Sequence, residues 1–502
     1  MRWALLALCV TVAGCTRAPA TTLPTRPADS LQRLASDITT ITKNPGVARG
    51  VWGVAVYSLD RREPLFTLND TTLLVPASTA KLIALATAVQ AVGWDYRYET
   101  LVRATGPIVD GVVQGDLVVV GSGDPSLGGR GGDSLAAFVS VMRTAGITRI
   151  EGRVIGDDDG LEEPRPQLAW AWDDLGYTSG ALFGALNYGE NRMDLIVAPG
   201  AGAGERAEVA QPYRWGRPMR IRAVTGAAGS PQLLWPEQRP GEPFLTIDGS
   251  IPIGASPARM SVSVGNPTLW FANALRHALI EAGIEVRGDA YDVDDIALEP
   301  MKPELGDGVL YIHRSPTLAV LAQPMLKDSI NLYAEAALRL NTPGGTFPTN
   351  DAALAGVRTT LAGWDVSTDG WQVVDGSGLS RRDAVAPDTL IAVLRRMWDP
   401  TGVSPWMNSL PIAGVDGTLA GRMAGTAAAG NVRAKTGTMS NIRALAGYVR
   451  TKDGEPLAFA IIVNNFEGAG AAAIDAIDRI AVMLANFTRV PGVPEVPEVP
   501  AP

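Results

Sequence analysis

Ser78 and Lys81 stand three residues apart at the head of an apolar segment, a step that on a helix brings both side chains to one face. A serine hydroxyl is a weak nucleophile without a neighbouring base. A lysine amine supplies that base when it is neutral, and the run LIALATA after Lys81 predicts a desolvated setting that lowers a lysine pKa. The chemistry open to the pair is acyl transfer through a serine ester. Alone, the spacing fits equally a helix N-cap at Ser78 and a solvated charge at Lys81. Two further groups narrow it. Ser329-Ile330-Asn331 leads into the helical stretch NLYAEAALRL, and Lys435-Thr436-Gly437-Thr438 lies just before the strand-like RALAGYV. Each reads singly as capping or a polar strand entry, but Ser-x-x-Lys, Ser-x-Asn and Lys-Thr-Gly in this order form a set for serine acylation.

Other hydrolytic designs are poorly supplied. The chain has two histidines, His277 inside a helix and His313 in YIHRSPTLAVL, both expected to pack structurally, so a Ser-His-Asp triad has little to draw on. Neither His-Glu-x-x-His nor paired Cys-x-x-Cys spacing occurs, and neither a metal nor a cofactor is expected. The glycine-rich run GSGDPSLGGRGG and the acidic run GDDDG match neither a P-loop nor an EF-hand; turn glycines and a solvated acidic loop are the expectation.

The elements that must hold the motifs can be read coarsely. VWGVAVYSLD alternates like a strand, and PLFTLN pairs with it across a turn at Asp60-Arg61-Arg62. VPASTAKLIALATAVQAVG is helical and closes at Gly93, DTLIAVLRRMWD is a second helix, and RALAGYVRT and LAFAIIVNNF are adjacent strands joined at Lys452-Asp453-Gly454. Both ends of the chain thus contribute to one α/β unit of α+β type, with an antiparallel sheet and packed helices. The middle consists of short strand-like runs such as GDLVVVGSGD, VTGAAGS and MSVSVGN, with one clear helix in LWFANALRHALIEAGI, and reads as a β-rich insertion.

With 502 residues, 46% hydrophobic and 19% charged, the chain has material for two or three domains. A net charge of -9 excludes a phosphate-backbone partner, so no nucleic acid is expected. Arg2 followed by an apolar run from Trp3 to Val12 predicts a secretory signal, too short to span a bilayer. Val12-Ala13-Gly14-Cys15 resembles the lipobox of bacterial lipoproteins, implying lipidation at Cys15 and an anchor in a membrane; the alternative is ordinary cleavage nearby. The other cysteine, Cys9, lies within the signal, so the mature chain has no disulfide framework. Residues 16–30 are a Pro/Thr-rich tether, and the closing RVPGVPEVPEVPAP, assigned to 490–502, is a polyproline spacer.

The three motifs, with the long insertion between Lys81 and Ser329, resemble those of the D-alanyl-D-alanine carboxypeptidase/endopeptidase family, the class C low-molecular-mass penicillin-binding proteins. Further matching stretches are GSGDPSL at Gly121, WDDLGY at Trp172, GENRMDL at Gly189, HRSPTLAVL at His313, DGSGLSR at Asp375 and LPIAGVDGTLAGR at Leu410. The resemblance runs from about Val51 to about Phe466. It implies a β-lactamase/transpeptidase-like domain at 31–103 and 308–489, interrupted by an insertion at 104–307 with a nested domain near 187–262. It implies a serine DD-peptidase acting on peptidoglycan stem peptides and acylated by β-lactam antibiotics, exported to the periplasm or cell envelope. By motif position Ser78 is the nucleophile, Lys81 its base, Ser329 the proton donor to the leaving amine, Asn331 the group orienting Lys81, and Lys435 a source of positive potential. Thr436, Gly437 and Thr438 line the substrate strand, the N–H groups of Ser78 and Thr438 form an oxyanion hole, and Asp416 braces the loop before Lys435. Asp174, Arg381 and Met439 fall where relatives hold a diaminopimelate side chain, although Ser179 stands where relatives can offer an aromatic. A β-lactamase or esterase on the same site, and an inactive cell-wall-binding lipoprotein, are the competing readings.

Overall fold

The computed structural model describes residues 27–130, 132–213, 217–239, 241–296, 308–468 and 470–489. Cys15, the signal and the 490–502 tail lie outside them. Order begins earlier than the 16–30 tether allows, because a helix spans Pro27–Thr42 with Asp29 in its first turn, where a carboxylate complements the helix dipole.

Five antiparallel strands form the sheet that positions the motifs, in the order Glu63–Leu68, Val51–Ser58, Pro456–Asn464, Ile442–Arg450, Arg433–Met439. Every residue of Pro456–Asn464 is buried, which is why PLAFAIIVN reads as a continuous apolar run: layers cover both faces of the sheet. On one face the helices Pro27–Thr42 and Ala471–Asn486 close over Val54, Leu445, Phe459 and Ile461. On the other, Lys81–Val92, Asn331–Arg339 and Pro387–Met397 pack around Leu82, Leu85, Tyr333 and Leu390. Lys81–Val92 is apolar all round rather than amphipathic, as a helix enclosed on every side must be.

The Lys-Thr-Gly motif is not a strand entry. Lys435, Thr436, Gly437 and Thr438 sit within the edge strand Arg433–Met439, paired residue by residue with Ile442–Arg450. The insertion is also more than short strands. In it a five-stranded sheet runs Ala290–Asp292, Val154–Asp157, Leu117–Val120, Glu99–Ala104, Val309–Arg314, its first three strands parallel. Parallel neighbours need crossovers, and the helices Ala136–Thr144 and Pro267–Glu281 pack their apolar faces on that side. The first was not legible as a helix among its glycine-rich neighbours, though Phe138, Val139 and Met142 share its buried face. Glu99–Ala104 and Val309–Arg314, at the two ends of the insertion, belong to this sheet, so a division at 103/104 and 307/308 cuts through hydrogen-bonded strands. A separate apolar cluster gathers Met193, Leu195, Leu245, Ile247, Ile251 and Val262.

Candidate active site

Ser78 lies on a tight 3-10 turn, Ala77–Ala80, that leads directly into the Lys81–Val92 helix. The turn is held open by Ala77 at φ +46°, a left-handed conformation that costs energy for a residue with a Cβ. Lys81 is fully buried, and its Nζ has three partners: Ser78 Oγ at 2.7 Å, Asn331 Oδ1 at 2.7 Å and the Ser377 carbonyl at 2.8 Å. The Asn331 amide is oriented by its own Nδ2, which donates to the Ser179 carbonyl at 2.8 Å and so turns Oδ1 to the lysine. Two of the three partners can only accept. A neutral amine therefore spends its two N–H bonds on Asn331 and Ser377 and keeps its lone pair for the one partner that can donate, the Ser78 hydroxyl. Burial drives the Lys81 pKa down to about 7, against the opposing pull of Asp375, Glu335 and Asp383.

Lys435 is equally buried in the edge strand, and its Nζ donates to Ser329 Oγ at 2.8 Å and to the Thr436 carbonyl at 2.9 Å. Burial, and then the nearby Lys81 amine, push its pKa well below the usual lysine range. Each amine thus disfavours charge on the other. Ser329 adopts φ +62° on the turn before the Asn331–Arg339 helix, which aims its hydroxyl across to the strand. Gly437 is required by close approach: a Cβ there would lie 2.6 Å from the Pro76 carbonyl oxygen of the Ser78 turn. Thr436 Oγ1 bonds to Thr418 Oγ1 at 2.8 Å, and the Thr418 loop is braced by Asp416, which pairs with Lys327 and accepts the Ile412 N–H at 2.9 Å. Thr438 is exposed at the end of the same strand, beside Met439.

Asp174 is half-buried in the turn Trp172–Asp174. Burial and Asp173 raise its pKa, while the exposed Arg381 draws it back through space. The histidines serve elsewhere: His277 pairs with Glu281 at 3.1 Å, and the buried His313 lies against Phe138 with Asp124 Oδ2 at 3.7 Å.

Four parts of the site escaped the sequence reading. The Ser377 carbonyl is a backbone atom and carries no residue-type signal. Behind it, fully buried Glu335 accepts the N–H groups of Gly376 at 3.1 Å and Ser377 at 2.9 Å, fixing the loop that presents that carbonyl. Glu335 is four residues after Asn331 and four before Arg339 on one face of an otherwise mostly apolar helix, and that spacing was the available signal. Burial and Asp375 raise its pKa to about 7. Asp375 itself accepts the N–H of Gly378 at 2.6 Å and of Ser380 at 2.8 Å, and Trp170 Nε1 from the insertion at 2.7 Å. Arg130, also from the insertion, reaches Asp328 at 2.9 Å, next to Ser329.

Comparison with known proteins supplies the family. The model of the D-Ala-D-Ala carboxypeptidase 3 (S13) family matches residues 34–487. The chain is 36% identical over 479 residues to a D-alanyl-D-alanine carboxypeptidase of Actinomadura sp. (strain R39), covering 91% of this chain and 85% of that one. It is 26% identical over 433 residues to the D-alanyl-D-alanine carboxypeptidase DacB of Haemophilus influenzae, covering 82% and 85%. The crystal structure of penicillin binding protein 4 (dacB) from Haemophilus influenzae superposes with a TM-score of 0.78 at 25% identity, over 90% of this chain and 100% of that one. A match that takes in the sheet, the helices and the whole insertion places this chain in the D-Ala-D-Ala carboxypeptidase 3 (S13) family.

Proposed function

We propose that this D-Ala-D-Ala carboxypeptidase works through an acyl-enzyme on Ser78, on peptidoglycan stem peptides. The observation that carries the reading is the coordination of Lys81 Nζ, whose lone pair is left for the Ser78 hydroxyl alone. Ser78 Oγ attacks the carbonyl between two D-residues and its proton passes to Lys81. Ser329, hydrogen-bonded to Lys435, passes its proton to the departing amine and regains one from the proton that Lys81 took up; water then hydrolyses the ester, its hydroxyl going to the acyl carbon and its proton back to Ser78 Oγ. The N–H groups of Ser78 and Thr438 hold the developing oxyanion, each donor of this kind contributing about 3 to 4 kcal/mol.

The substrate approaches along the Arg433–Met439 edge strand. Its outer side is bridged by Ile412 at the Arg433 end, and the strand continues past the Ser78 turn. Lys435, Thr436 and Thr438 bind the terminal carboxylate there, and Gly437 lets the strand come close. Asp174, Arg381 and Met439 meet the substrate side chain, an amine and carboxylate being suited to the acid and base of that set. β-Lactams acylate the same serine. Cleavage of cross-links by the same intermediate adds endopeptidase activity. The signal and Cys15 direct the enzyme to the envelope with a lipid anchor, and the catalytic unit lies on both sides of an insertion whose sheet begins at Glu99 and ends at Arg314, with a nested module near 187–262; the separate apolar cluster between Met193 and Val262 supports that last division. No helix among the described residues is long and apolar enough to cross a membrane.

Mass spectrometry after incubation with benzylpenicillin tests the nucleophile: a single adduct mapping to Ser78, absent from Ser78→Ala, is expected. No adduct on folded protein would leave the binding-lipoprotein reading. The lifetime of the adduct separates a peptidase, which holds it, from a β-lactamase, which releases it within seconds.

The acylation rate should also follow pH. Protonated Lys81 cannot accept the Ser78 proton, so the rate falls about tenfold per unit below a midpoint near 7 and levels off above it. Glu335 titrates in the same range, so the midpoint belongs to the pair. A rate unchanged from about pH 8 to about pH 5 would exclude a neutral-lysine base.

A further inference from the structure

The acidic run between Gly156 and Gly160 takes no part in the peptidase site, and it is not the solvated loop its composition suggests. Asp158 is only 2% exposed. Its Oδ2 accepts the Thr268 hydroxyl, but its Oδ1 is buried with no hydrogen-bond partner, a costly state for a carboxylate oxygen. Glu163, further along the same loop, and Asp294, from the turn Val293–Asp295, approach it, and one oxygen from each of the three residues lies within 4.8 Å of the others. Asp292, buried beside them, adds a fourth carboxylate. After burial, the principal charges acting on Asp158 and Glu163 are other carboxylates, and together they raise Asp158 to about 6 and Glu163 to about 7. Among the described residues none of the four carboxylates forms a salt bridge.

We propose that Asp158, Glu163 and Asp294 bind a calcium ion. The donors are all carboxylate oxygens, with no imidazole or thiolate to select zinc or copper. With calcium–oxygen bonds of about 2.4 Å, oxygens that all lie within 4.8 Å of one another are close enough to bind one ion. One buried and two exposed residues on two loops leave room for the waters and carbonyls that complete an irregular shell of six to eight ligands, which calcium accepts more readily than magnesium. The ion would join the end of the Val154–Asp157 strand to the turn Val293–Asp295, near the end of the insertion. It would also steady the contact with the catalytic unit, because the neighbouring Glu162 donates its N–H to the Pro348 carbonyl at 3.1 Å and accepts the Asn350 N–H at 2.8 Å.

The test compares the melting temperature of the whole protein in EDTA and in millimolar calcium chloride, beside a calorimetric titration with calcium. Calcium is expected to raise the melting temperature by about 5 °C and to bind with a Kd of about 0.1 mM, with magnesium chloride giving a smaller rise. Glu163→Gln with Asp294→Asn changes exposed residues, should fold normally, and should abolish the calcium-dependent rise while melting in EDTA no lower than the unsubstituted protein, since repulsion is relieved. Equal melting in EDTA and calcium overturns the proposal, as does a rise that survives the double substitution or one that magnesium matches. A melting temperature that responds to acidification and not to calcium would mean that shared protons hold the cluster, and overturns it too.

Discussion

Lys81→Met should slow acylation of Ser78 about 10⁴-fold while leaving the fold intact. Methionine keeps most of the buried volume of a side chain that is wholly enclosed, so the loss isolates the amine. Without it the Ser78 hydroxyl loses the hydrogen-bonded amine that accepts its proton. Lys81→Arg should be as inactive, since a guanidinium stays charged at every working pH. Rapid mixing with a fluorescent penicillin reads the acylation step directly, and thermal melting confirms folding. A folded Lys81→Met protein acylated within about tenfold of the normal rate would assign the base to another group.

Gly378→Ala is the second large effect, and it acts through the backbone. Gly378 has φ +77°, and a Cβ there would sit 2.0 Å from the Ala77 carbonyl oxygen and 3.2 Å from the Ala80 Cβ. One of the two loops must move, and the moving parts are the turn that carries Ser78 and the loop that presents the Ser377 carbonyl to Lys81. A stability loss of about 3 kcal/mol is expected in urea unfolding, with acylation slowed about 100-fold in whatever folds. Gly454→Ala is the control. Its φ of +86° is equally left-handed but nothing lies within 4 Å, so it should cost only the backbone strain, about 1 kcal/mol. Equal losses at the two positions would mean that conformation and not contact decides the outcome.

What the sequence showed of this molecule follows from where the information sits. Ser78, Lys81, Ser329, Asn331 and Lys435 announce themselves because their chemistry is in side chains of particular type and order, and the structure brings them into two hydrogen-bonded groups, Ser78 and Asn331 on Lys81 and Ser329 on Lys435. The outer strands and central helices were legible because their apolar runs are long. The Lys435 strand was shifted because Lys, Thr and Gly are polar or flexible, and only pairing with Ile442–Arg450 makes them extended. The Ala136–Thr144 helix was hidden by short length and by glycines at both ends, and the parallel pairings of the insertion are tertiary facts with no local signature. Buried Asp158 looked like surface because an acidic triplet usually is, and only its packing on Thr268 reveals otherwise.

The order of the catalytic sheet has a consequence for how the protein comes into being. Val51–Ser58 is bonded to Pro456–Asn464, strands separated by some 400 residues of chain, so the central pairing of the sheet cannot close until nearly the last strand has been synthesised. Loop closure over such a span grows only slowly in entropy with length, but it makes contact order high and assembly late. The insertion, whose sheet closes between Glu99 and Arg314, has all its strands available well before that and can fold first. Until the final strands arrive, the amphipathic N-terminal hairpin has an unpaired edge and an uncovered apolar face. A chain stopped short of Asn464 would therefore contain Ser78, Lys81 and Asn331 and still have no rigid frame to bring them together, and its exposed hairpin would make it a target for aggregation or chaperone binding.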